Sequence, residues 1–357
     1  MDLNMGAGDD AEEMDGENMG EGFFPGFQFD LDGLIGEIEK RGWKRVIFQV
    51  PDGLKKETVR LLVHISKKIG DGVKTIFALS TSPAFGACDV ISPPAGFDGV
   101  VHMGHAPMPG IGGSGGTIFV EMRRVVPEEL AGTERLIFAL GEIGASRVGL
   151  TATVQYLDFL RPVKEILSEH GFEAVVGDSG GRAVHPGQVL GCSFHPALVV
   201  RDVVDVFVFV GDGVFHPVGV SISTGKRVLR YDPLSGFCEY VNAEDFVKKR
   251  MLAVARASDA RRWGVLVSTK PGQHRPSIAF NVYNLLVENG MEAIVFVGDT
   301  FSPEMFLGLD VEAFVSTACP RIAYDDAALY KRPVLTPQEL EILVGKRTWD
   351  DYSPDFF

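Results

Sequence analysis

The sequence has little cysteine, no long apolar run and no excess of positive charge. It contains four cysteines in 357 residues, and its 48 acidic against 34 basic residues give a formal net charge of −14. The longest apolar run, 203–214, is interrupted by Asp205 and Asp212 and is too short to span a membrane. These absences exclude a disulfide-rich secreted domain, a membrane span and a general nucleic-acid binder, which needs a basic surface. We expect a cytoplasmic protein.

The acidic excess is concentrated near the N-terminus. Residues 1–22 hold eight acidic residues and no lysine or arginine, so the rest of the chain has a net charge of only −6. The segment lacks the basic and then apolar order of a secretory signal. It also lacks apolar periodicity, and we therefore predict an acidic, disordered tail over 1–24.

A unit of strand, helix and strand occurs three times behind this tail. The first apolar runs are at 45–50, 147–152 and 263–268. Each is followed by a helical segment that ends at a glycine, where a helix C-terminus favours a left-handed residue: Gly70, Gly171 and Gly290. Two further apolar runs follow in each copy, at 74–79 and 99–103, at 173–176 and 205–210, and at 292–297 and 311–315. Apolar strands that alternate with helices are typical of parallel α/β units.

The three helices have apolar side chains at helical spacing, and these define the faces that we expect to be buried. They are Val59, Leu62 and Val63 in the first copy, Leu160, Val163, Ile166 and Leu167 in the second, and Ile278, Val282, Leu285 and Leu286 in the third. The chain is therefore predicted to form three similar α/β domains, at 25–130, 131–245 and 246–357.

Three of the four cysteines, Cys88, Cys192 and Cys319, follow predicted strands, one in each copy. Ligands of open α/β sheets bind beyond the carboxyl ends of the strands. The spacing of these cysteines matches neither zinc sites nor ferredoxins and by itself favours ordinary buried thiols. Their small or turn-forming neighbours, however, indicate loops at strand ends. Three thiolates on a [4Fe–4S] cluster would leave one iron open, as in a reactive site. Cys238 lacks this setting, and we expect it to pack in the interior.

Segments with these cysteines resemble the 2-(3-amino-3-carboxypropyl)histidine synthase family, the radical enzymes of diphthamide synthesis. The resemblance covers about 27–357, including the end WDDYSPDFF, and its segments occur in the family's order. They are QVPDGL (49–54), GACDV (86–90), HMGHA (102–106), GQVLGC (187–192), GDGVFHPVG (211–219), TGKRVLRYDP (224–233), STKPGQHRP (268–276), SPEMF (302–306), STACPRIAYDD (316–326) and PVLTPQE (333–339).

The resemblance implies three Rossmann-like parallel-sheet domains, arranged as a triangle around a central [4Fe–4S] cluster that Cys88, Cys192 and Cys319 bind. It also implies a homodimer and an unidentified one-electron reductant. S-adenosylmethionine would bind near the open iron, and its bond from sulfur to Cγ would break to give methylthioadenosine and a 3-amino-3-carboxypropyl radical. The radical would add to C2 of a histidine imidazole in translation elongation factor 2, the first step of diphthamide formation.

Further polar residues near strand ends are candidates for binding S-adenosylmethionine or the incoming histidine: Gln49, Asp52, Gly104, His105, Gly211, His216, Lys270, Gln273 and Arg275. Each has a structural alternative. Asp52 with Gly53 is equally typical of a turn and helix cap, and the glycine-rich 211–219 matches neither the P-loop nor the GxGxxG spacing. The donors of 270–275 have two interpretations, solvated loop charges or a binding site for the carboxylate of S-adenosylmethionine. Arg321 and Asp325 are predicted to form a pair behind Cys319.

Two functions from other classes stay open on the residues alone. One is a nucleotide- or phosphate-binding transferase on Rossmann-like domains, in which the cysteines are merely buried. The other is a binding or scaffold protein that uses the acidic tail and a dimer surface.

Overall fold

Three parallel sheets follow one another along the chain. The computed structural model describes residues 22–69, 75–111 and 115–354. The glycine at position 70 and nearly all of the predicted acidic tail lie outside the described residues, so those two predictions are untested.

The first part of the chain forms the first sheet and the helices beside it. Its elements are β1 (Phe27–Gln28), α1 (Leu31–Lys40), β2 (Arg45–Gln49), α2 (Lys55–Lys68), β3 (Ile76–Leu79), β4 (Gly99–Met103), β5 (Thr117–Val120) and β6 (Arg123–Arg124). The sheet has the order β3-β2-β4-β5, and all its strands are parallel. The short strands β1 and β6 pair separately and are antiparallel.

The second part forms the second sheet. Its elements are α3 (Thr133–Glu142), β7 (Arg147–Ala152), α4 (Leu160–Glu169), β8 (Glu173–Val176), α5 (His195–Leu198), β9 (Val206–Val210), α6 (Phe215–Thr224), β10 (Val228–Asp232) and β11 (Phe237–Tyr240). The order is β8-β7-β9-β10-β11, and the last strand is antiparallel to its neighbour.

The third part repeats the plan of the first. Its elements are α7 (Ala243–Ala257), β12 (Arg262–Ser268), α8 (Pro276–Glu288), β13 (Glu292–Gly298), β14 (Ala313–Ser316), α9 (Pro320–Tyr324), β15 (Val334–Leu335) and α10 (Pro337–Leu343). The order is β13-β12-β14-β15, all parallel. In each sheet, therefore, the first strand lies between the second and the third. Short 3-10 turns complete the chain at Asp52–Leu54, Ala87–Asp89, Val154–Phe159, Pro303–Phe306, Asp326–Leu329 and Trp349–Asp351.

The prediction of repeated α/β units with parallel sheets is confirmed, although each parallel sheet has a fourth strand that the repeat did not include. These strands are β5, β10 and β15, and the second sheet adds β11. They are short or carry polar residues, which weakens the apolar signal of a buried strand. At the two helix ends that are described, Gly171 and Gly290 have the expected positive φ, 85° and 75°.

The core packing corrects the predicted face of the first helix. Val59 and Val63 are 55% and 52% exposed, whereas Thr58, Leu61 and Ile65 are buried against the sheet. Thr58, Leu61 and Ile65 recur at a spacing of three and four residues, which defines the inner side of α2. The predicted faces of α4 and α8 are confirmed, because Leu160, Val163 and Leu167 and then Val282 and Leu286 are buried.

Each sheet packs against apolar side chains from its own part of the chain. Val126 and Leu130, which the predicted boundaries assign to the first domain, pack instead on the core of the second sheet. The domain boundaries themselves stay a prediction. Within the described residues, every helix falls short of the length and apolarity needed to cross a membrane.

Candidate active site

The three cysteines that follow strand ends line one cavity. Cys88, Cys192 and Cys319 all contribute to the wall of a space of about 300 Å³. The segments that contain them come from the first, second and third parts of the chain, respectively. Because every parallel strand directs its carboxyl end towards one edge of its sheet, residues after these strands are available to a common site.

Each cysteine lies on a short irregular segment. Cys88 is part of the 3-10 turn Ala87–Asp89, between β3 and β4. Cys192 lies between β8 and α5, and Cys319 follows β14 and is the N-cap residue of α9. Cys238 lies within strand β11 and packs against the core of the second sheet, away from this cavity.

The electrostatics of the thiols show that they are neighbours. Burial raises the pKa of Cys88 to about 12, and the negative charges of Asp89 and Cys192 act in the same direction. Burial also raises the pKa of Cys319, and Cys88 and Cys192 raise it further. Binding of a metal group to thiolates at this site would therefore release protons.

The donor set fits an iron–sulfur cluster, whose irons are bound by cysteine thiolates. Cys88, Cys192 and Cys319 line the same cavity, so each could bind a different iron of a [4Fe–4S] group.

Gln49, at the end of strand β2, holds the segment that contains Cys88. Gln49 is fully buried at the end of β2, and its Nε2 donates to the carbonyl oxygen of Asp89 at 2.9 Å. Its Oε1 accepts from the backbone N–H of Ile91 at 3.1 Å. The prediction placed Gln49 among the binding residues, but its amide is used to position the cysteine turn.

Two buried histidines form a chain of hydrogen bonds from the Gln49 amide to the cavity. Because Oε1 of Gln49 only accepts, the Nδ1 of His102, 3.0 Å away, must hold the proton of that bond. The Nε2 of His102 then accepts from Nδ1 of His105 at 3.0 Å, and His105 lines the cavity. Burial lowers the pKa of His102 to about 3 and that of His105 to about 4, so both rings are neutral at pH 7.

The segment after β12 reaches across to the turn of Cys88. The carboxylate of Asp89 is 1% exposed and accepts from Lys270 Nζ at 2.9 Å and from Gln273 Nε2 at 2.8 Å. Lys270 and Gln273 line the cavity as predicted, but both donate to Asp89. These bonds join the first part of the chain to the third, and the predicted binding of the S-adenosylmethionine carboxylate by the two residues stays a prediction.

Gly272 allows this close approach. A Cβ at Gly272 would lie 2.4 Å from Cα of Cys88, which no real side chain could occupy. The carbonyl oxygen of Gly272 accepts from Nη1 of Arg182 at 3.0 Å, so the second part of the chain contacts the same segment. All three parts of the chain thus meet beside Cys88.

The remaining wall of the cavity contains aromatic and basic side chains. His216 lines it and stacks on Phe209, with ring centroids 6.0 Å apart, and burial lowers its pKa to about 4. Arg321 also lines it, and its Nε donates to Asp325 at 2.6 Å, so this predicted pair is present. Apolar lining is supplied by Phe85, Met108, Phe215 and Phe301.

Several predicted binding residues lie outside the cavity lining. Asp52 is exposed, lies in the 3-10 turn Asp52–Leu54 and pairs with Lys55 at 2.6 Å, as expected for a turn residue, whereas the N-cap of α2 is Leu54. Gly104, at φ 94°, uses its carbonyl oxygen to accept from Gln155 at 2.7 Å. The N–H of Gly211 donates to the carbonyl oxygen of Tyr231 at 2.9 Å.

Arg275 lies behind the Cys319 loop. Its Nη1 donates to the carbonyl oxygen of Ala318 at 3.2 Å. Burial lowers its pKa to about 10, nearby Arg182 lowers it further, and the cysteines oppose that effect. The candidate site therefore has positive charge next to its thiols.

Three residues of the site were not predicted from the sequence: Asp89, which lines the cavity, and His102 and Gly272, which lie behind its lining. Asp89, His102 and Gly272 belong to the segments that carried the resemblance but were not selected as site residues. A signal was available for Asp89, since an acidic residue next to a buried cysteine needs a partner. Nothing in the sequence indicated that the partners were Lys270 and Gln273, which are about 180 residues away.

Comparisons with known proteins point to one family. Residues 50–354 match the family model of diphthamide synthesis protein. The chain is 35% identical over 90% of its length to the 2-(3-amino-3-carboxypropyl)histidine synthase of Pyrococcus horikoshii, 91% of which is covered. It is 28% identical to the Methanocaldococcus jannaschii enzyme of the same name, over 93% of this chain and 95% of that one.

A solved structure has the same fold. The crystal structure of Dph2 from Pyrococcus horikoshii with 4Fe-4S cluster matches with a TM-score of 0.80 and 33% sequence identity, over 92% of this chain and 93% of that chain. A second crystal structure of Dph2 from the same organism matches with a TM-score of 0.79 and 34% identity, over 90% and 92% of the two chains.

Proposed function

The chain belongs to the diphthamide synthesis protein family, and from this membership we propose that it catalyses the first step of diphthamide formation. Its relatives are named 2-(3-amino-3-carboxypropyl)histidine synthase. In the proposed reaction, the 3-amino-3-carboxypropyl group of S-adenosylmethionine is transferred to C2 of a histidine imidazole in elongation factor 2, in the cytoplasm, and methylthioadenosine is released.

The observation that supports this proposal most directly is the convergence of three thiols on one cavity. Cys88, Cys192 and Cys319 would bind three irons of a [4Fe–4S] cluster and leave the fourth open to S-adenosylmethionine. When bound and reduced, the cluster would supply one electron to S-adenosylmethionine, and cleavage of the sulfur–Cγ bond would give methylthioadenosine and the 3-amino-3-carboxypropyl radical.

The chain's own residues would position the reactants and exclude water. The cavity has the volume of a site for a small organic ligand, and Phe85, Met108 and Phe215 offer apolar surface to it. Neutral His105 and His216 face the same space and can hydrogen-bond polar groups of the ligand without adding charge. Positioning of this kind is the main contribution of a protein to chemistry that its cofactor performs.

The partners in this proposal are elongation factor 2, a one-electron reductant and a second copy of the chain. Phe85 lines the cavity and is 65% exposed, so a histidine from another protein can approach there. The homodimer is supported by exposed apolar side chains on the edge strand β13 and on the adjacent helix α8. They are Ile294, Val297, Phe280 and Val287.

The test is anaerobic reconstitution with iron and sulfide, followed by reduction and addition of S-adenosylmethionine and elongation factor 2. We expect about four irons per chain, as a [4Fe–4S] cluster requires, and formation of methylthioadenosine with a mass increase on the factor. Formation of 5′-deoxyadenosine instead, or a chain without iron, would contradict the proposal.

Single substitutions test which cysteines bind the cluster. Cys88→Ala, Cys192→Ala or Cys319→Ala should each remove most of the iron, because each deletes one of three ligands. Cys238→Ala is the matched control, since Cys238 lies in β11 and packs against the second core. Equal loss of iron in all four variants would show that the effect is general instability.

A further inference from the structure

The side-chain amide of Gln273 is shared between a carboxylate and a cysteine sulfur. Its Nε2 lies 2.8 Å from Oδ1 of Asp89 and 3.4 Å from Sγ of Cys88. The amide nitrogen has two hydrogens, so both contacts can be made at once. Because a carboxylate only accepts hydrogen bonds, Asp89 determines that the nitrogen, and not the oxygen, of Gln273 faces the sulfur.

Asp89 is itself held on both oxygens. Its Oδ2 accepts from the backbone N–H of Phe85 at 2.7 Å, and its Oδ1 accepts from Lys270 Nζ at 2.9 Å. Asp89 and Gln273 are 1% and 7% exposed, so water does not compete for these bonds. The orientation of the Gln273 amide is therefore set by a buried, charged neighbour.

The backbone holds Gln273 at this distance as well. Gly272 packs against the backbone of Cys88, where a Cβ would lie 2.8 Å from the carbonyl oxygen of Cys88. Arg182 holds the carbonyl oxygen of Gly272 from the other side. The donor belongs to the third part of the chain and the acceptor to the first, so the contact exists only when the two are docked.

We propose that Gln273 is a positioning residue that raises the reduction potential of the cluster through an N–H···S hydrogen bond to Cys88. The inference rests on the proposed function, because it takes Cys88 as a cluster ligand. Hydrogen bonds to the sulfurs are one of the factors that set iron–sulfur potentials. A donor directed at a thiolate stabilises the reduced, more negative state more than the oxidised one.

The test is a redox titration of Gln273→Met, followed by electron paramagnetic resonance. Methionine has a similar volume and no N–H donor. At a fixed potential the ratio of reduced to oxidised cluster should fall about tenfold, which corresponds to about 59 mV for one electron. Iron per chain should stay unchanged, because all three cysteines remain.

The matched control is Gln155→Met. Gln155 also lines the cavity, but its Nε2 donates to the carbonyl oxygen of Gly104 and not to a thiol. We expect its potential to equal that of the unsubstituted protein. An equal shift in both variants would show a general effect of polarity and would overturn the role of Gln273.

A second measurement avoids substitution altogether. With ¹⁵N in the side-chain amides of glutamine, the reduced cluster of the unsubstituted chain should show a weak ¹⁵N coupling in pulsed electron paramagnetic resonance. This coupling should persist in Gln155→Met and vanish in Gln273→Met. Absence of the coupling in the unsubstituted chain would overturn the inference, even if Gln273→Met failed to fold.

The outcomes separate this inference from the proposed function. A chain that assembles no cluster under any condition overturns the proposed function, and the inference with it. A normal cluster with an unmoved potential in Gln273→Met overturns the inference alone. Loss of iron in Gln273→Met with an unmoved potential of the residual cluster assigns Gln273 a structural role only, and also overturns it.

Discussion

The segments around Cys88 and Cys319 reach the same cavity but are held in different ways. The Cys88 turn is bound from its own sheet by Gln49 and from the third part of the chain by Lys270 and Gln273. The backbone of the Cys319 segment is held by hydrogen bonds within the third part of the chain. Its Arg321 and Tyr324 also contact the rings of Phe85 and Phe215 from the other two parts. The position of Cys88 therefore depends on hydrogen bonds between parts of the chain, whereas the hydrogen bonds that hold the backbone at Cys319 are local.

Two sets of contacts lie behind Cys319. Thr317 donates through Oγ1 to the carbonyl oxygen of Leu266 at 2.8 Å. In the helix that follows Cys319, the carbonyl oxygen of Ala323 accepts a hydrogen bond from Arg250. Arg250 also pairs with Glu339 at 2.7 Å. Both partners of this ion pair are buried, so the helix that follows Cys319 packs on a charged but fully enclosed network.

The largest expected effect comes from breaking this network with Glu339→Gln. Arg250 would then be buried without its carboxylate, and removal of one partner of a buried pair costs about 3–5 kcal/mol. We expect the free energy of unfolding, measured in urea, to fall by that amount.

The control for this variant is Glu288→Gln. It breaks the exposed pair of Glu288 with Lys346, whose N···O distance is 3.8 Å. An exposed pair of this kind is worth about 0–1 kcal/mol. Similar losses in the two variants would mean that the network behind Cys319 does not support the third part of the chain.

A smaller effect, confined to the Cys88 side, is expected for Gly272→Ala. The added methyl group would meet the backbone of Cys88 and push the segment away, at about 1–3 kcal/mol for overpacking. Iron per chain after reconstitution should fall, while hydrogen exchange of the helix after Cys319 stays as in the unsubstituted protein.

Gly36→Ala serves as its control, since a Cβ at Gly36 in helix α1 has no heavy atom within 4 Å. That variant should load iron normally and be slightly more stable, as expected for alanine in a helix. Faster exchange of residues 316–324 in Gly272→Ala would break the distinction between the two segments.

The smallest effect, counted per histidine and per pH unit, is the pH dependence of stability, which also belongs to the Cys88 side. Burial lowers the pKa of His102 to about 3 and of His105 to about 4, below the ordinary value of 6.5. The unfolded chain thus binds more protons between these values, so stability is complete above about pH 6.5 and falls as the pH drops towards 4. The slope is at most about 1.4 kcal/mol per pH unit for each histidine.

Urea unfolding of the metal-free chain at pH 7 and pH 5 measures this slope. His105→Gln removes one of the three buried rings whose pKa is strongly lowered, the others being His102 and His216, so its unfolding free energy should depend less on pH. His170→Gln is a suitable control, because His170 is exposed and bonds only the carbonyl oxygen of Ile166 in its own helix. An unchanged slope in His105→Gln would exclude the buried ring as its source.

Much of the fold was predictable because buried parallel strands consist of short runs of apolar residues. Strands β4, β7 and β8 have the predicted bounds, and the repeated order of the three sheets follows from the repeat. The face of α2 was not predictable from apolarity alone. Val59 and Val63 are exposed while Thr58 is buried, since the position of the sheet decides which side of the helix faces inward.

The thiols of the candidate site were predictable from the sequence, but the side chains that position them were not. Cys88, Cys192 and Cys319 stand next to small or turn-forming residues that mark strand ends, a local signal. The bond from Gln273 to Asp89 joins residues that are 184 positions apart, and no local pattern contains it. For the same reason Lys270 seemed available to a ligand, although its charge is neutralised within the protein.

The supply of one thiol by each part of the chain has a thermodynamic consequence. A group that contacts all three thiols binds only when the three parts are docked, so its binding free energy adds to their cohesion. Loss of that group lowers the cost of separating them and raises the population of partly opened chains. Cellular proteases cleave such chains from the opened state. Iron supply would thereby set the lifetime of the polypeptide as well as its chemistry.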